Sequence, residues 1–326
     1  MDQPHILILA TGGTIAGQSG SALRRDYRPG QIGIGELLER VQPLLPDVIL
    51  EGRELAAIGS EDITTGLWRR IWSDCDAAMR DPAITGIVIT HGTDTAEETA
   101  LLLDLTLSTT KPVVLVGAMR PADAVGSDGL RNLVNAVRVA ADGDAAGRGV
   151  LLVMGDRVIA ARDARKARTT GVDAFRGFPR DAVALVTPHS LDWFGAPWAV
   201  GREARFAFPA EFLHVPILHA YATMEVELVD RIVRPDTRGL VLAGFGEGNA
   251  PGAVRDRLAE LARGGLMVVR ASRVDEGLVD REPEDDPAGF VAARSLGPAK
   301  ARVLLQVLLA NGVSAPEEVQ AAFDAR

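Results

Sequence analysis

The feature that most constrains the fold is a set of short apolar runs that recur along the first half of the chain. Four of them occupy residues 5–10, 86–90, 112–117 and 149–154. Stretches with helical periodicity separate these runs, and apolar strands that alternate with helices are typical of parallel sheets covered by helices. The sequence therefore predicts an α/β fold with a larger, parallel-type N-terminal sheet flanked by helices.

The length of the chain predicts two domains, because 326 residues exceed the size at which a single hydrophobic core usually stops growing. Proline, tryptophan and phenylalanine become frequent after Val186. We interpret residues 189–212 as an interdomain linker, which leaves 1–188 as the N-terminal domain and 213–326 as a smaller C-terminal α/β domain. The C-terminal domain has its own strand and helix patterns, at residues 216–220, 239–243, 254–263, 266–270 and 298–310.

The charge balance gives no reason to expect nucleic acid as a partner, since the formal net charge is -9. We expect a small-molecule partner instead. The single basic cluster, residues 162–168, is either a solvated loop or helix end, or the surroundings of a functional lysine, Lys166. Charge alone does not decide between these two interpretations.

Cysteine and histidine usage argues against disulfides and metal sites. Cys75 is the only cysteine, and none of the five histidines stands at a spacing typical of zinc ligands. We expect no metal and no cofactor. No apolar stretch is long enough to span a bilayer, and residues 1–4 (MDQP) precede a short apolar run without a basic region or cleavage site. These features predict a cytoplasmic protein without membrane contact, or a periplasmic one if a leader has been removed.

Two motifs at the ends of predicted strands contain the residues of chemical interest. The first, residues 11–16 (TGGTIA), places the hydroxyl of Thr14 among glycines at the end of a strand, where parallel sheets bind their ligands. It fits neither the dinucleotide pattern, which needs glycine at the position of Thr14, nor the Walker pattern, which needs Lys-Ser or Lys-Thr after Gly17. Taken alone, the segment is better explained by a glycine turn with an incidental threonine.

The second motif, residues 91–95 (HGTDT), puts Thr93 beside the carboxylate of Asp94 at the end of the next predicted strand. A helix that begins near Thr95 would have a threonine N-cap and early glutamates. Asp94 is therefore either a residue that complements the helix terminus or a functional carboxylate. The spacing leaves both interpretations open.

With these two motifs the sequence resembles the bacterial-type L-asparaginases and glutaminase-asparaginases. The resemblance covers nearly the whole chain and continues through Tyr27 and residues 58–60, 116–121, 162–166, 246–249, 272–274 and 300–305. It implies an amidohydrolase that converts L-asparagine to L-aspartate and ammonia, and it leaves L-glutamine open as a second substrate. Residues 1–188 would then form the catalytic domain.

The resemblance implies that Thr14 is the nucleophile and forms a covalent acyl-enzyme. A threonine hydroxyl is a weak nucleophile at neutral pH, so a base or a relay must lie within hydrogen-bond reach. Tyr27, on a lid segment that spans residues 17–33, is implied as that relay.

Thr93, Asp94 and Lys166 are implied as a second catalytic cluster. Thr93 would either activate the water that hydrolyses the acyl-enzyme or attack the substrate itself. Its backbone N–H, together with the region of Ala118, would supply the oxyanion hole. Ala118 has no reactive side chain, so packing at a strand end explains it equally well.

Substrate-binding residues are implied as well. Asp94 would pair with the α-ammonium of the amino acid, while Gly59 and Ser60, with neighbouring N–H groups, would bind its α-carboxylate. Glu61 stands where many asparaginase-selective relatives carry glutamine. A second carboxylate there would strengthen ammonium binding and change how the longer glutamine is held.

The resemblance also implies a homotetramer with active sites shared between subunits. Glu282 is the closest match to the carboxylate that a neighbouring subunit contributes, although Glu284, Asp285 and Asp286 stand close to it. Asn249 is implied as a second contribution of the same kind.

Two other functions stay open at this point. A non-catalytic amino-acid-binding module would use the charge contacts but would not need Thr14, Thr93 and Lys166. An ammonia-supplying subunit of a tRNA-dependent amidotransferase would carry further domains or a tRNA-binding surface, which this acidic chain does not suggest.

Overall fold

The computed structural model describes residues 3–20, 28–197 and 203–325. They form two compact units, of which the first ends at Arg205 and the second begins at Phe206. Both units combine helices with sheets, so the predicted α/β class is confirmed.

The strands of the first unit are β1 (His5–Gly12), β2 (Ile49–Ile58), β3 (Gly86–Thr90), β4 (Val113–Val116), β5 (Val150–Met154), β6 (Arg157–Ala160), β7 (Ala164–Lys166), β8 (Phe175–Gly177), β9 (Ala184–Val186) and β10 (Leu191–Trp193). Eight of them form one sheet in the order β10-β9-β6-β5-β4-β3-β1-β2. Neighbours from β2 to β5 are parallel, whereas β6, β9 and β10 extend the sheet in antiparallel pairs. Strands β7 and β8 form a separate antiparallel pair.

The helices of the first unit are α1 (Ile34–Val41), α2 (Thr65–Arg80), α3 (Ala96–Thr106) and α4 (Gly129–Ala141), with short 3-10 helices at Thr14–Ala16, Gln42–Leu44, Ser60–Asp62 and Gly143–Ala145. Local chemistry explains where α2 begins. The hydroxyl of Thr64 accepts the Leu67 N–H at 3.1 Å and so satisfies one of the backbone donors that a helix start leaves unpaired.

The core lies on both faces of the parallel strands. Side chains alternate along β1, so that Ile6 and Ile8 pack in a cluster with residues of α1 and α4. Leu7 and Leu9 pack in a second cluster with residues of α2 and α3. Because both faces are covered, β3 is buried at every position, which is why its sequence reads as a continuous apolar run.

The strand order determines where a ligand can bind. The chain passes from β1 to β2 on one side and returns to β3 on the other, so the connections diverge between β1 and β3. Such a divergence opens a crevice at the carboxyl ends of the strands. The register aligns Ala10 with Thr90 and Thr90 with Val116, and therefore the loops after β1, β3 and β4 begin side by side.

The second unit contains strands β11 (Ile217–His219), β12 (Gly239–Gly244), β13 (Met267–Ser272) and β14 (Phe290–Ala292) and helices α5 (Glu227–Ile232), α6 (Gly252–Arg263), α7 (Asp285–Ala288), α8 (Pro298–Ala310) and α9 (Pro316–Asp324). Its four strands are parallel and follow each other in chain order. In the ranges that the structure describes, no helix is long and apolar enough to cross a membrane.

The region predicted as a linker, 189–212, contains more structure than expected. Strand β10 pairs with β9 and forms one edge of the large sheet, and the boundary between the units falls between Arg205 and Phe206. A strand of three residues with half-exposed side chains leaves too little hydrophobic pattern to be recognised in the sequence.

Candidate active site

Three loops meet with almost no space between their backbones. A Cβ on Gly13, which has a φ of 77°, would lie 2.6 Å from the Cα of Gly92. A Cβ on Gly92 would in turn lie 2.7 Å from the hydroxyl of Ser60. The glycines of the two motifs are therefore required by the close approach of the loops after β1, β2 and β3.

Thr14 begins the 3-10 helix that follows β1, and its side chain is buried. It directly follows Gly13, which places it beside the loop that carries Thr93. Tyr27, implied as its relay, lies outside the described residues.

Lys166 joins two of the implied catalytic residues. Its Nζ donates hydrogen bonds to the hydroxyl of Thr93 at 2.8 Å and to the Asp94 carboxylate at 2.6 Å. The Lys166 side chain is 19% exposed and that of Asp94 is 60% exposed. The ammonium is thus held mostly away from solvent, while the carboxylate remains accessible to a ligand.

The backbone of Lys166 is fixed from two sides. It lies at the end of β7, where it pairs with Phe175, and its N–H donates to the carboxylate of Glu97 at 3.0 Å. Glu97 stands in the first turn of α3. Sequence reasoning interpreted the early glutamates as a helix-start signal, and it missed this contact because the two residues are far apart in the chain.

The basic cluster is buried over residues 162–165, and only Arg168 at its end is exposed. Arg162 and Arg165 are both buried, and the Arg165 guanidinium lies 4.8 Å from the ring centroid of Phe178. Burial, and next the nearby Arg205, lower the pKa of Arg162 to about 10. The cluster is therefore part of the packed framework around Lys166.

Ser60 organises the start of the loop that holds Asp94. Its hydroxyl accepts the N–H of Asp94 at 3.1 Å and that of Thr95 at 3.4 Å, while Thr95 Oγ1 donates to the Ser60 carbonyl at 2.8 Å. Thr95 occupies the N-cap position of α3, but its side chain makes no capping bond there. The predicted position of the threonine N-cap is therefore correct, but the Thr95 hydroxyl bonds to Ser60 and not to the backbone of the helix.

Glu61 lies at the rim of this arrangement. It is exposed, and its carboxylate folds back against Gly59, so that a Cβ on that glycine would collide with it. Both residues adjoin the buried Ser60. An anionic group thus stands next to the implied carboxylate-binding residues.

Ala118 is fully buried and follows β4. The preceding Gly117 approaches the second motif closely, since a Cβ on it would lie 3.0 Å from Thr93 Cγ2. Asn132 of α4 donates to the Gly117 carbonyl at 2.9 Å, and Asp128 accepts the N–H of Met119 at 3.0 Å. Hydrogen bonds from the start of α4 therefore hold this segment in place. The side chain of Ala118 packs in the hydrophobic core.

A buried hydrogen-bond chain that sequence reasoning missed ends at the second motif. Trp68 Nε1 donates to Thr99 Oγ1 at 2.8 Å, Thr99 Oγ1 lies 3.0 Å from His91 Nε2, and His91 Nδ1 lies 2.7 Å from the Gly92 carbonyl. No sequence signal links Trp68 to the motif, because α2 and α3 come together only in the folded chain.

Asn249 and Glu282 lie in the second unit, where Arg255 connects them. It donates to Asn249 Oδ1 at 3.2 Å and lies 3.6 Å from the Glu282 carboxylate. Asn249 is exposed and Glu282 is half-buried. The two residues implied for intersubunit contact therefore form one polar group.

A buried arginine supports this group from beneath. Arg270 is inaccessible to solvent and makes a two-pronged bond with Asp285, at 2.7 and 2.5 Å. The same guanidinium donates to the carbonyls of Glu247 and Asp280 at 2.7 and 3.0 Å. It thereby ties the loop that carries Asn249 to the segment that carries Glu282.

In residues 3–20, 28–197 and 203–325, no group of three or more His, Cys, Asp or Glu side chains could hold a metal ion.

Comparisons with known proteins identify the family of the chain. The family model "Asparaginase, N-terminal" matches residues 5–199, and "Glutaminase/Asparaginase C-terminal domain" matches residues 214–323. The "Probable L-asparaginase periplasmic" of Haemophilus influenzae is 40% identical over 329 residues, which cover 99% of this chain and 93% of that protein. A "Glutaminase-asparaginase" of Pseudomonas aeruginosa is 35% identical over 312 residues, with coverage of 94% and 86%.

A solved structure gives the same result. The crystal structure of a "Probable Cytoplasmic L-asparaginase" from Campylobacter jejuni superposes with a TM-score of 0.94 at 35% identity, and it covers 99% of this chain and 100% of its own. Both halves of the chain match the family models, and the relatives match over nearly full length. The resemblance carried by the two motifs is confirmed, and the chain belongs to the asparaginase family.

Proposed function

We propose that this chain hydrolyses the side-chain amide of L-asparagine to L-aspartate and ammonia, and that L-glutamine is a second substrate of the same site. The names of the relatives, L-asparaginase and glutaminase-asparaginase, support both substrates. The single observation that carries the proposal is the contact of Lys166 with Thr93 and Asp94, on the loop that Gly13 touches. A protein that only bound amino acids would need charge contacts but no lysine directed at a hydroxyl.

The proposed reaction has two steps. Thr14 Oγ attacks the side-chain carbonyl carbon, the C–N bond breaks, and the proton from the hydroxyl leaves with ammonia. Thr14 is then esterified, and a water molecule attacks the ester, restores the hydroxyl and releases aspartate. Tyr27 would relay the first proton, and the backbone N–H of Thr93 would stabilise the oxyanion of each tetrahedral intermediate.

The second cluster supports the hydrolytic step. The ammonium of Lys166 donates to Thr93 Oγ1, so a negative charge on that oxygen would be stabilised by a neighbouring cation. In our proposal Thr93 orients and activates the water that attacks the ester on Thr14.

Recognition of a free amino acid uses both ends of the zwitterion. Asp94 is accessible and would pair with the α-ammonium, assisted by Glu61. The hydroxyl of Ser60 accepts two N–H groups, which leaves its own proton to donate to the α-carboxylate. Gly59, Ala118 and the adjoining backbone would complete the walls of the site.

We further propose a homotetramer in which Glu282 of the partner subunit and Asn249 of the partner subunit complete each site. The polar group that Arg255 forms with the same two residues in the second unit supports this assignment. A light-scattering mass near the 34.5 kDa of a single chain, at full activity, would contradict shared sites.

We also propose that the chain acts in the cytoplasm. Its single cysteine is buried and unpaired, so the fold uses no disulfide that an oxidising compartment would form. Recovery of the activity in the periplasmic fraction of the native cells would contradict this assignment.

Ammonia release tests the proposed activity. The wild type is expected to release ammonia from L-asparagine, and Thr14→Val is expected to lose nearly all turnover while it retains the fold. Thr110→Val is the matched control. Thr110 is exposed and precedes β4, so it lies at the amino ends of the strands, whereas Thr14 lies at their carboxyl ends. Full activity in Thr14→Val would disprove the nucleophile, and binding without any ammonia release would indicate an amino-acid-binding module.

A further inference from the structure

The hydrogen-bond chain from Trp68 to Gly92 has a defined direction. A peptide carbonyl can only accept, so the bond to Gly92 requires a proton on His91 Nδ1, and the neutral ring then accepts at Nε2. Trp68 donates to Thr99, the Thr99 hydroxyl donates to His91 Nε2, and His91 Nδ1 donates to the Gly92 carbonyl. This direction belongs to a neutral imidazole with its proton on Nδ1, the form that burial of the ring favours.

Burial supports the neutral form. His91 is 1% exposed and Thr99 is fully buried. Burial lowers the pKa of His91 below its ordinary value of 6.5, and the bond to the Gly92 carbonyl opposes this only in part. The ring stays uncharged at neutral pH and offers exactly one donor and one acceptor, and both are used.

The bond to Gly92 also determines the direction of the next N–H. The carbonyl of Gly92 and the N–H of Thr93 belong to one planar trans peptide, so they point in opposite directions. Gly92 has no side chain and would otherwise let this peptide rotate more freely than any other residue. Holding the carbonyl at 2.7 Å therefore also holds the N–H.

Within the described part of the chain, the N–H of Thr93 donates no hydrogen bond, although Thr93 is only 6% exposed. A backbone donor without a partner in a buried residue is unusual, and it leaves this N–H available to an acceptor on a ligand. This donor is the one assigned to the oxyanion in the proposed function.

We propose that His91 is a positioning residue, which fixes the peptide between Gly92 and Thr93 so that the Thr93 N–H is aimed at the oxyanion of the reacting amide. The inference rests on the proposed function, because the N–H has this role only if the chain hydrolyses an amide. Because His91 is 1% exposed, in this proposal it acts through the peptide and not by contact with the substrate.

Two variants of His91 distinguish the proposed positioning role from a role in packing alone. His91→Asn keeps an amide donor near the position of Nδ1, whereas His91→Gln keeps a polar group near Nε2 for Thr99 but removes the donor to Gly92. Loss of an oxyanion donor lowers kcat by about 10²- to 10³-fold, so we expect His91→Gln to lose at least about tenfold in kcat, with KM changed by less than about twofold. His91→Asn is expected to keep kcat within about threefold of the wild type.

Further variants test the chain behind His91. Trp68→Phe leaves the bond from Thr99 to His91 intact and serves as the matched control with kcat near the wild-type value. Thr99→Val removes that bond and is expected to lower kcat with little change in KM. Equal losses of kcat in His91→Asn and His91→Gln, or losses confined to KM, would overturn the inference.

A spectroscopic readout does not depend on activity. The ¹⁵N spectrum of histidine-labelled protein should show one neutral imidazole with the proton on Nδ1, which disappears in His91→Asn. A proton on Nε2, or a charged ring at neutral pH, would overturn the inference by itself. A wild type that released no ammonia would contradict the proposed function, whereas an active enzyme that is indifferent to His91→Gln would contradict this inference alone.

Discussion

Lys166 Nζ donates a 2.8 Å hydrogen bond to Thr93 Oγ1 from a position 73 residues further along the chain. The same ammonium bonds to Asp94 at 2.6 Å, so the hydroxyl and the carboxylate share one cation. The Lys166 side chain is mostly buried, and an electrostatic contact that is shielded from water acts more strongly than one on the surface. Removal of this cation is therefore the most direct test of the second cluster.

Lys166→Met is expected to lower kcat for asparagine by about 10²- to 10⁴-fold, the range typical of a lost acid-base group. KM should change much less, because the lysine acts on Thr93 and not on the bound amino acid. Arg168→Gln is the control, since Arg168 is a neighbouring cation that pairs with the exposed Asp173. Ammonia release measures both variants, and a Lys166→Met enzyme with near wild-type kcat would remove the second cluster from the mechanism.

Glu61→Gln tests the rim of the site. An exposed carboxylate contributes about 0.2–1 kcal/mol to an ion pair, so the KM for asparagine should rise by about 1.5- to 5-fold while kcat stays near the wild-type value. The ratio of kcat/KM for asparagine to that for glutamine should change as well, because the two substrates differ in length. Asp62→Asn, at the next exposed position, is the control. An unchanged KM for both amino acids would show that Glu61 does not contact the substrate.

Arg270→Met is expected to lower the free energy of unfolding by about 3–5 kcal/mol, because it leaves the buried carboxylate of Asp285 without its partner. Arg281→Gln breaks an exposed pair with Asp286 and should cost less than about 1 kcal/mol. Urea unfolding should be followed by circular dichroism and not by tryptophan fluorescence. All four tryptophans precede the second unit, so their fluorescence would not report on its unfolding. Equal effects of the two substitutions would contradict the supporting role of Arg270.

Cys75 should not react with thiol reagents in the native protein. Its side chain is fully buried, and burial, followed by the charges of Asp74 and Asp76, raises the pKa of the thiol well above its ordinary value. Only the thiolate is the reactive species, so the reaction requires unfolding. An Ellman assay should detect no thiol at neutral pH and one per chain in denaturing urea. Rapid native labelling would show that α2 opens locally.

The strength of the hydrophobic pattern decided which elements of the fold could be predicted. Strand β3 is buried at every position and reads as an uninterrupted apolar run, so its bounds were predicted correctly. Strand β2 lies at the edge of the sheet and carries charged residues such as Glu51 and Arg53, which hide its pattern. It was missed for that reason, as were the short antiparallel strands from β6 to β10.

The residues of the candidate site could be predicted only through the resemblance to a family. The spacing of the second motif left Asp94 open as a helix-terminus residue, and only the fold shows that Lys166 contacts it. The chain from Trp68 through Thr99 to His91 could not be foreseen, because it depends on how α2 and α3 pack. Contacts between distant elements are set by the tertiary structure and leave no local signal.

The contact between Gly13 and Gly92 has a consequence for anyone who wishes to change the specificity of this enzyme. A Cβ on Gly13 would lie 2.6 Å from the backbone of Gly92, and a Cβ on Gly92 would lie 2.7 Å from the hydroxyl of Ser60, so neither glycine accepts a side chain without movement of a neighbouring loop. The two threonine motifs therefore behave as a single rigid unit, like a tool insert that is exchanged as a whole. Libraries that vary these glycines should yield mostly misfolded variants. Glu61, which stands exposed beside the insert, is the position where diversity can be introduced without disturbing it.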